Sequence, residues 1–214
     1  MMGELFSKDY ANQLDENNPL KYIRDRFHLP KKDGKPVLYF SGNSLGLQPK
    51  GVSNSLLEEA NNWAKKGADG YFSDWINFHE RFLGHFEPII GGQSHEFMVM
   101  NALTVNLHLL MVSFYRPTKM KYKIIIEGGA FPSDQYAVKS QIEFHGLDPN
   151  DTLIELKPKE GEYCLSTDDI LKTIELNGES TALIMLGGVN YYTGQKYDME
   201  IIAEAGKKVG AFVG

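Results

Sequence analysis

Apolar and polar residues alternate along the chain in short blocks that predict strands and helices in turn. In the second half, apolar runs of strand length occur at residues 97–100, 121–127, 152–156, 181–189 and 211–213. Apolar residues recurring every three or four positions predict helices over residues 104–114, 133–144, 167–176 and 199–209. Apolar strands that alternate with amphipathic helices are typical of a parallel sheet. The predicted fold class is therefore α/β, with a mostly parallel sheet and flanking helices.

The first third of the chain has a less regular pattern. Residues 12–30 are expected to form a short helix followed by an arm, and residues 37–40 a strand. The loop at residues 41–49 contains two glycines and an asparagine, and Pro49 is expected to open a helix. Aromatic and aliphatic residues spaced three and four apart predict one amphipathic helix over residues 73–90.

The composition is that of an ordinary globular protein. The chain has 214 residues, of which 42% are hydrophobic, so it can bury a core. Its net charge of -6 comes from mixed acidic and basic residues without a basic stripe, so no nucleic-acid partner is expected. Cys164 is the single cysteine and residues 1–9 lack signal-peptide order, which favours a cytoplasmic location. No apolar run is long enough to cross a bilayer, so no membrane partner is expected.

Two predicted helix starts carry candidate binding chemistry. In sheets of this kind, ligands bind beyond the carboxyl ends of the strands, where loops lead into helices. Thr104 can cap its helix and offer a hydroxyl, while the free N–H groups of Leu103, Thr104 and Val105 favour a phosphate. Phe131 follows a flexible glycine pair and can offer its face to a flat heteroaromatic ring, with the Asp134 carboxylate close by. Together the two segments suggest a pyridoxal phosphate site.

Each of these residues also has a purely structural interpretation. Thr104 can be only a helix cap, Phe131 an ordinary core side chain and Asp134 a carboxylate that complements the helix dipole. Taken singly, the structural interpretations are favoured, and only the joint placement after neighbouring strands favours binding. The six histidines lack metal-ligand spacing and Cys164 lacks a histidine partner, so neither a metal nor a thiol nucleophile is expected.

Four motifs, taken together, resemble those of one family, the kynureninases, in order and approximate spacing. The motifs are Gly42-Asn43-Ser44-Leu45-Gly46-Leu47-Gln48-Pro49, the run at residues 100–111, Ala130-Phe131-Pro132-Ser133-Asp134 and Tyr192-Thr193-Gly194-Gln195. The resemblance runs from about Tyr22 to the last residue. Four motifs in register are far more specific than a single glycine-rich loop.

The resemblance implies an aspartate aminotransferase-like fold, of the first structural type of pyridoxal phosphate enzymes, in a homodimer. Kynureninases use pyridoxal 5'-phosphate to hydrolyse L-kynurenine, or its 3-hydroxy form, to anthranilate or 3-hydroxyanthranilate and L-alanine. This implies a role in tryptophan catabolism and NAD biosynthesis. Residues 1–70 would form an N-terminal arm and part of the small domain, and residues 71–214 the first part of the large cofactor-binding domain.

The resemblance also assigns roles to individual residues. Leu103 and Thr104 match residues that hold the cofactor phosphate, and Phe131 matches the ring that stacks on the pyridine. The full set comprises Leu103, Thr104, Phe131, Pro132, Ser133 and Asp134 for the cofactor, and Asn43 and Ser44 for the amino-acid substrate.

The chain departs from the family pattern in two ways. Gly187 and Asn190 stand where animal relatives carry a serine and a histidine, which leaves the choice between kynurenine and its 3-hydroxy form open. The lysine that binds the cofactor covalently matches a position beyond Gly214, and no lysine of this chain has a sheltered setting suited to that role. No catalytic residue is therefore expected in this chain, which we expect to be an amino-terminal half without activity of its own.

Two other function classes compete with this interpretation. The first is a noncatalytic α/β module that binds a phosphate-bearing ligand without reacting. The second is a nicotinamide oxidoreductase, which is disfavoured because no Gly-x-Gly-x-x-Gly motif follows a predicted strand.

Overall fold

The computed structural model describes residues 7–214, which divide into two compact units. The first unit ends at Phe97 and the second begins at Met98. The domain boundary expected between residues 70 and 71 concerns the whole protein and stays a prediction. Among residues 7–214, no helix has both the length and the apolar character that crossing a membrane requires.

The first unit consists of short helices and one small hairpin. Its α-helices are α1 (Lys8–Asn17), α2 (Val52–Lys66) and α3 (Leu83–Ile90). The antiparallel hairpin pairs β1 (Lys31–Lys32) with β2 (Lys35–Pro36). The 3-10 helices are Lys21–Arg26, Gly67–Asp69, Phe78–Phe82 and Ser94–Glu96, and a π-helix spans Tyr71–Trp75.

Two sequence-based predictions for this unit are wrong in the region before α2. The strand expected at residues 37–40 is absent from the described chain, and Leu38 and Phe40 are exposed there. Helix α2 begins at Val52 after Gly51, whereas Pro49 forms an isolated antiparallel bridge with Phe27. Apolar residues alone therefore did not make a strand, because no neighbouring strand supplies hydrogen bonds to them.

The prediction of a single helix over residues 73–90 is also wrong. The segment is divided into the π-helix, a 3-10 helix and α3. The break falls at Asn77, whose φ of -102° and ψ of 16° lie outside the helical region. In 3-10, α- and π-helices, residues three to five positions apart lie on the same face, so the apolar spacing could not distinguish these helix types.

The second unit is a parallel sheet with helices on both faces, which confirms the predicted α/β class. The strands are β3 (Lys123–Glu127), β4 (Leu153–Leu156), β5 (Thr181–Met185) and β6 (Phe212–Val213), in the spatial order β4-β3-β5-β6. The helices are α4 (Leu103–Phe114), α5 (Pro132–Phe144), the single turn α6 (Pro149–Thr152), α7 (Thr167–Asn177) and α8 (Met199–Lys208). The predicted strand at residues 97–100 is absent, and the one predicted to reach residue 189 ends at Met185.

Two apolar clusters hold the helices against the sheet. On one face, Ile124 and Ile126 of β3 pack with α4 and α5 through Met111, Val138 and Ile142. On the other face, Ile125 packs with residues of α7 and α8, namely Ile170, Ile174 and Ile202. Successive strand residues point to opposite faces, so the apolar run of β3 supplies both clusters.

Lys121 joins three segments at the amino-terminal end of the sheet. Its Nζ donates to the carbonyl oxygens of Gly178 at 3.3 Å and Thr181 at 3.4 Å, and also to that of Val209. Gly178 and Val209 are the C-caps of α7 and α8. An ammonium group has three N–H donors and complements the negative end of a helix dipole, so this contact stabilises both helix ends.

Candidate functional site

The sheet has a topological switch point between β3 and β5. The chain leaves β3 for α5 on one face of the sheet, whereas it leaves β5 for α8 on the opposite face. Loops that diverge from the carboxyl ends of two adjacent strands leave a crevice between them, and this is where sheets of this type bind ligands. The segments at residues 128–131 and 186–191 flank this crevice.

The start of α4 offers unpaired backbone donors. Its N-cap is Ala102, which has no side-chain oxygen, so the expectation that Thr104 caps the helix is wrong. Thr104 is the second helical residue and is half-buried, while Leu103 is exposed. The first intrahelical bond of this end is from Asn106 N to Ala102 O at 3.0 Å, so the N–H groups of the three preceding residues point out of the helix.

The turn that precedes α4 has a defined shape. Asn101 adopts a φ of 33°, a left-handed conformation that asparagine tolerates better than most residues. The side-chain nitrogen Nδ2 of Asn106 donates to Met100 O at 2.9 Å, which holds the turn against the helix. Since α4 packs on the sheet and ends shortly before β3 begins, its start points toward the carboxyl edge.

Phe131 lies on the crevice side of the loop that follows β3. Gly128 permits this path because any side chain at this position would meet Leu156 O at 2.6 Å. Phe131 is 51% exposed and Tyr191 is 48% exposed, and their ring centroids lie 5.2 Å apart at an angle of 76°. The interpretation of Phe131 as a core side chain is therefore wrong. The two rings form an edge-to-face pair that leaves aromatic surface open to a ligand.

The remaining residues of this motif form the first turn of α5. Pro132 is the first helical residue, with Phe131 as the N-cap. Ser133 Oγ donates to Asp134 Oδ1 at 3.2 Å, and both residues are half-buried. Gln135 Nε2 donates to Ala130 O at 2.7 Å, which closes the loop onto the helix. The Asp134 carboxylate stands at the positive end of the helix dipole, as its structural interpretation requires, and it keeps further acceptor capacity.

A buried carboxylate connects the two loops that flank the crevice. Glu127 is the last residue of β3 and is 6% exposed. Its Oε2 accepts hydrogen bonds from Asn190 Nδ2 at 2.9 Å and from Tyr197 Oη at 2.5 Å. Burial, together with the neighbouring Glu127 carboxylate, raises the pKa of Tyr197 above its ordinary value, so this hydroxyl stays a donor.

Asn190 in turn shapes the loop that carries Tyr191. Its Oδ1 accepts from Tyr192 N at 3.0 Å, Thr193 N at 2.9 Å and Thr193 Oγ1 at 3.1 Å. Gln195 pairs with the backbone of Leu165, accepting from its N–H at 2.8 Å and donating to its carbonyl at 2.6 Å. The loop is therefore fixed from both ends.

A cavity of about 420 Å³ opens beside this loop. Its lining combines glycines, polar side chains and tyrosines: Gly128, Gly129, Pro158, Glu162, Tyr163, Leu165, Asn190, Tyr191, Tyr192, Thr193, Gln195 and Tyr197. Thr104 and Phe131 are not among the lining residues. The cavity thus adjoins the aromatic pair on the side of Tyr191.

Asn43 and Ser44 belong to the first unit. Both are exposed, in a turn where Ser44 N donates to Ser41 O at 3.0 Å. Tyr39 Oη donates to Leu45 O at 2.6 Å and so braces the turn. The substrate-binding role of Asn43 and Ser44 stays a prediction.

The structure brings the predicted cofactor residues to one edge of one sheet. Helices α4 and α5 pack on the same face, where Gln141 Nε2 lies 2.9 Å from His108 Nδ1, and both helices start toward the carboxyl edge. Sequence reasoning missed the roles of Glu127, Tyr191 and Tyr197. A glutamate that ends an apolar strand just before two glycines was the available signal for the first of these.

The chain is similar to several curated proteins that are named kynureninase. No family model matches the chain. It is 50% identical to the kynureninase of Myxococcus xanthus over 212 residues, and 52% identical to that of Flavobacterium psychrophilum over 209 residues. It is 45% identical to the kynureninase of Homo sapiens over 219 residues. These alignments cover 97%, 96% and 95% of this chain, but 50%, 49% and 47% of the relatives. The chain thus spans about half the length of the curated relatives it matches.

Solved structures share the fold at low identity. A cysteine desulfurase from Thermococcus onnurineus NA1 superposes with a TM-score of 0.62 at 18% identity, over 94% of this chain and 46% of that chain. A C–S lyase from Staphylococcus hominis, solved with bound PLP and L-cycloserine, superposes with a TM-score of 0.50 at 15% identity, over 98% of this chain and 49% of that one. At such identities the likeness shows the fold alone. Over the region it spans, the chain is therefore similar to the kynureninases and corresponds to the amino-terminal half of the curated ones.

Proposed function

We propose that the protein carrying this chain is a pyridoxal phosphate-dependent kynureninase. It would hydrolyse L-kynurenine, or 3-hydroxy-L-kynurenine, to anthranilate or 3-hydroxyanthranilate and L-alanine. The observation that carries the proposal is the half-exposed pair of Phe131 and Tyr191 at the switch point of the sheet, on the edge toward which α4 starts. Relatives that are 42% to 52% identical over this region bear the name kynureninase, which supports the same reaction.

The start of α4 fits the phosphate of the cofactor. The N–H groups of Leu103 and Thr104 are free of intrahelical partners, and Ala102 provides no competing cap. A helix start offers positive potential together with directed donors, which is the combination that phosphate requires. The half-buried Thr104 hydroxyl adds a further donor.

The crevice side of α5 fits the pyridine ring. Phe131 offers an exposed ring whose edge-to-face contact with Tyr191 fixes its orientation. Pro132, Ser133 and Asp134 form the first helical turn beside it and orient the segment, with the Asp134 carboxylate held by Ser133. Bound pyridoxal phosphate would supply an electron sink for bond breaking in the amino-acid substrate.

Asn43 and Ser44 would contact the amino-acid substrate. Their side chains are small and polar, and the turn that carries them is braced by Tyr39. Such groups suit hydrogen bonds to an amino acid, and a braced turn loses little entropy on binding. We further propose a cytoplasmic homodimer that acts in tryptophan catabolism, and thereby in NAD biosynthesis, as the family resemblance implies.

The 214-residue chain by itself is expected to bind the cofactor without turning over substrate. The sequence offers no lysine in the setting that covalent attachment of the cofactor requires, and the partly buried Lys121 is bound to three carbonyl oxygens at the amino-terminal end of the sheet, away from the carboxyl edge. Three groups would lie outside the matched region: the lysine that binds the cofactor covalently, the acidic partner of the pyridine nitrogen and the arginine for the substrate carboxylate. The chain's own share is to bind the phosphate, orient the ring and exclude water from one side.

Ligand titration of the purified chain tests this proposal. Pyridoxal phosphate and inorganic phosphate are each titrated, with binding followed by absorbance or calorimetry. Phe131→Ala should weaken pyridoxal phosphate binding by about tenfold, since stacking on an aromatic side chain is worth about 1–3 kcal/mol, and should leave phosphate binding unchanged. Phe144→Ala is the matched control, because Phe144 is an exposed phenylalanine at the far end of the same helix.

Three outcomes separate the proposal from its alternatives. Equal loss of both ligands in Phe131→Ala, or loss in Phe144→Ala as well, contradicts the stacking role. Absence of pyridoxal phosphate binding by the longer protein that carries this chain contradicts the cofactor assignment. If the longer protein that carries this chain binds pyridoxal phosphate but hydrolyses no kynurenine, a noncatalytic binding module is the better description.

A further inference from the structure

We propose that Glu127 is a positioning residue for the aromatic part of the cofactor site. Its buried carboxylate holds the loop that carries Tyr191 against the strand that leads to Phe131. This inference rests on the proposed function for the identity of the ligand. The contacts that carry it belong to the structure of the second unit alone.

The contacts form a continuous path between the two rings. Glu127 Oε2 accepts from Asn190 Nδ2 at 2.9 Å, and Asn190 immediately precedes Tyr191. On the other side, residues 128–130 lead directly from Glu127 to Phe131. The ring centroids of Phe131 and Tyr191 meet 5.2 Å apart, which closes the path. Glu127 is thus connected to both rings, to Tyr191 through the hydrogen bond from Asn190 and to Phe131 through residues 128–130.

Glu127 serves as a common acceptor for two donors that are distant in sequence. Its Oε2 also accepts from Tyr197 Oη at 2.5 Å, so both ends of the loop at residues 190–197 are tied to the same oxygen. A buried carboxylate is costly unless it is hydrogen-bonded, and hydrogen bonds to a charged group are stronger than neutral ones. The loop and the strand end therefore stabilise each other's position.

Gly187 lies close to the other carboxylate oxygen of Glu127. A side chain at Gly187 would bring its Cβ within 3.3 Å of Glu127 Oε1. Glycine at this position therefore leaves Oε1 unobstructed and lets the loop after β5 pass close to the carboxylate. The chain therefore passes close to the carboxylate just before Asn190, which donates to Oε2.

The consequence for binding is selective. If the carboxylate is neutralised, the loop loses its charged acceptor, and Tyr191 no longer holds the edge of the Phe131 ring. The aromatic part of the ligand then loses an ordered partner. The N–H groups at the start of α4, which would hold the phosphate, belong to a different segment and keep their geometry.

Ligand affinities of Glu127→Gln and Tyr197→Phe test this selectivity. Glu127→Gln preserves shape but removes the charge, and should weaken pyridoxal phosphate binding about tenfold while leaving inorganic phosphate binding within about twofold. Tyr197→Phe removes one donor and should give a smaller effect in the same direction. Tyr115→Phe is the matched control, because Tyr115 is a buried tyrosine whose hydroxyl donates to Tyr122 O at 2.7 Å, away from the crevice.

Hydrogen exchange tests the same inference without any ligand. The amides of Tyr192 and Thr193 donate to Asn190 Oδ1, so their protection reports the order of the loop. In Glu127→Gln they should exchange about tenfold faster relative to the core amide of Ile125, whereas Tyr115→Phe should leave this ratio unchanged.

The two measurements separate the possible failures. If the loop amides of Glu127→Gln keep their relative protection, Glu127 does not hold the loop and the inference is overturned. If protection falls but both ligands lose affinity equally, Glu127 has a general structural role and the positioning role is refuted. If the longer protein that carries this chain binds no pyridoxal phosphate, the proposed function fails, while the exchange ratio still decides whether Glu127 holds the loop.

Discussion

Replacement of Lys121 by methionine should measurably destabilise the second unit. Methionine keeps the aliphatic stem but removes the ammonium group that donates to Gly178 O, Thr181 O and Val209 O. A hydrogen bond to a charged group contributes about 1.5–3 kcal/mol net, and a cation at a helix end adds about 0.3–1 kcal/mol. Because two of the three contacts are longer than 3.2 Å, we expect a total loss of about 2–3 kcal/mol.

Urea unfolding followed by far-ultraviolet circular dichroism measures this loss. With a denaturant slope of about 1–3 kcal/mol per molar, the midpoint should fall by about 1 M. Lys119→Met is the matched control, since Lys119 is an exposed lysine two residues away, and it should shift the midpoint by less than about 0.3 M. Equal midpoints for the two variants would refute the reasoning that Lys121 joins the three segments.

Two further predictions concern stability. Burial raises the pKa of Tyr115 from 10.0 to about 12, so the stability due to its neutral form is complete below pH 10 and is lost as pH rises toward 12. The decrease in the urea midpoint from pH 9 to pH 11 should therefore be smaller in Tyr115→Phe than in the unsubstituted chain. An identical decrease would contradict this. Gly206→Ala should cost about 1–3 kcal/mol, because its Cβ would lie 2.3 Å from Val213 Cγ2 and 3.0 Å from Ile184 Cδ1. Gly84→Ala, whose added Cβ would meet none of the described residues within 4 Å apart from the backbone of its own helix, should instead gain about 0.5–1 kcal/mol. Melting temperatures that move in the same direction for both variants would refute the packing argument.

Local sequence patterns were sufficient for most of the second unit. The apolar run of β3 and the periodic residues of α5 are each determined by burial against near neighbours, so their bounds were predicted to within two residues. The exposed Phe40 shows the limit of the same reasoning in the first unit. An apolar run forms a strand only where a partner strand exists, and a short stretch of sequence does not contain that information.

The candidate site was only partly predictable for a related reason. Thr104 and Phe131 stand next to recognisable helix starts, so local rules pointed to them. Glu127 and Tyr197 are 70 residues apart in sequence, and only the folded sheet brings them together. The helix cap was misassigned because a threonine near a helix start satisfies the usual preference, whereas the observed cap, Ala102, has no side chain that could reveal it.

The central position of β3 also governs the order in which the chain can assemble during synthesis. Strands β3 and β4 can pair once Leu156 has left the ribosome, with α4 and α5 covering one face of β3. The opposite face, which includes Ile125, is covered in part once α7 is complete at Asn177 and in full only once α8 is complete at Lys208. At about 5–20 residues per second, translation leaves that face without its complete cover for about 3–10 s, an interval in which the nascent chain presents apolar surface to chaperones.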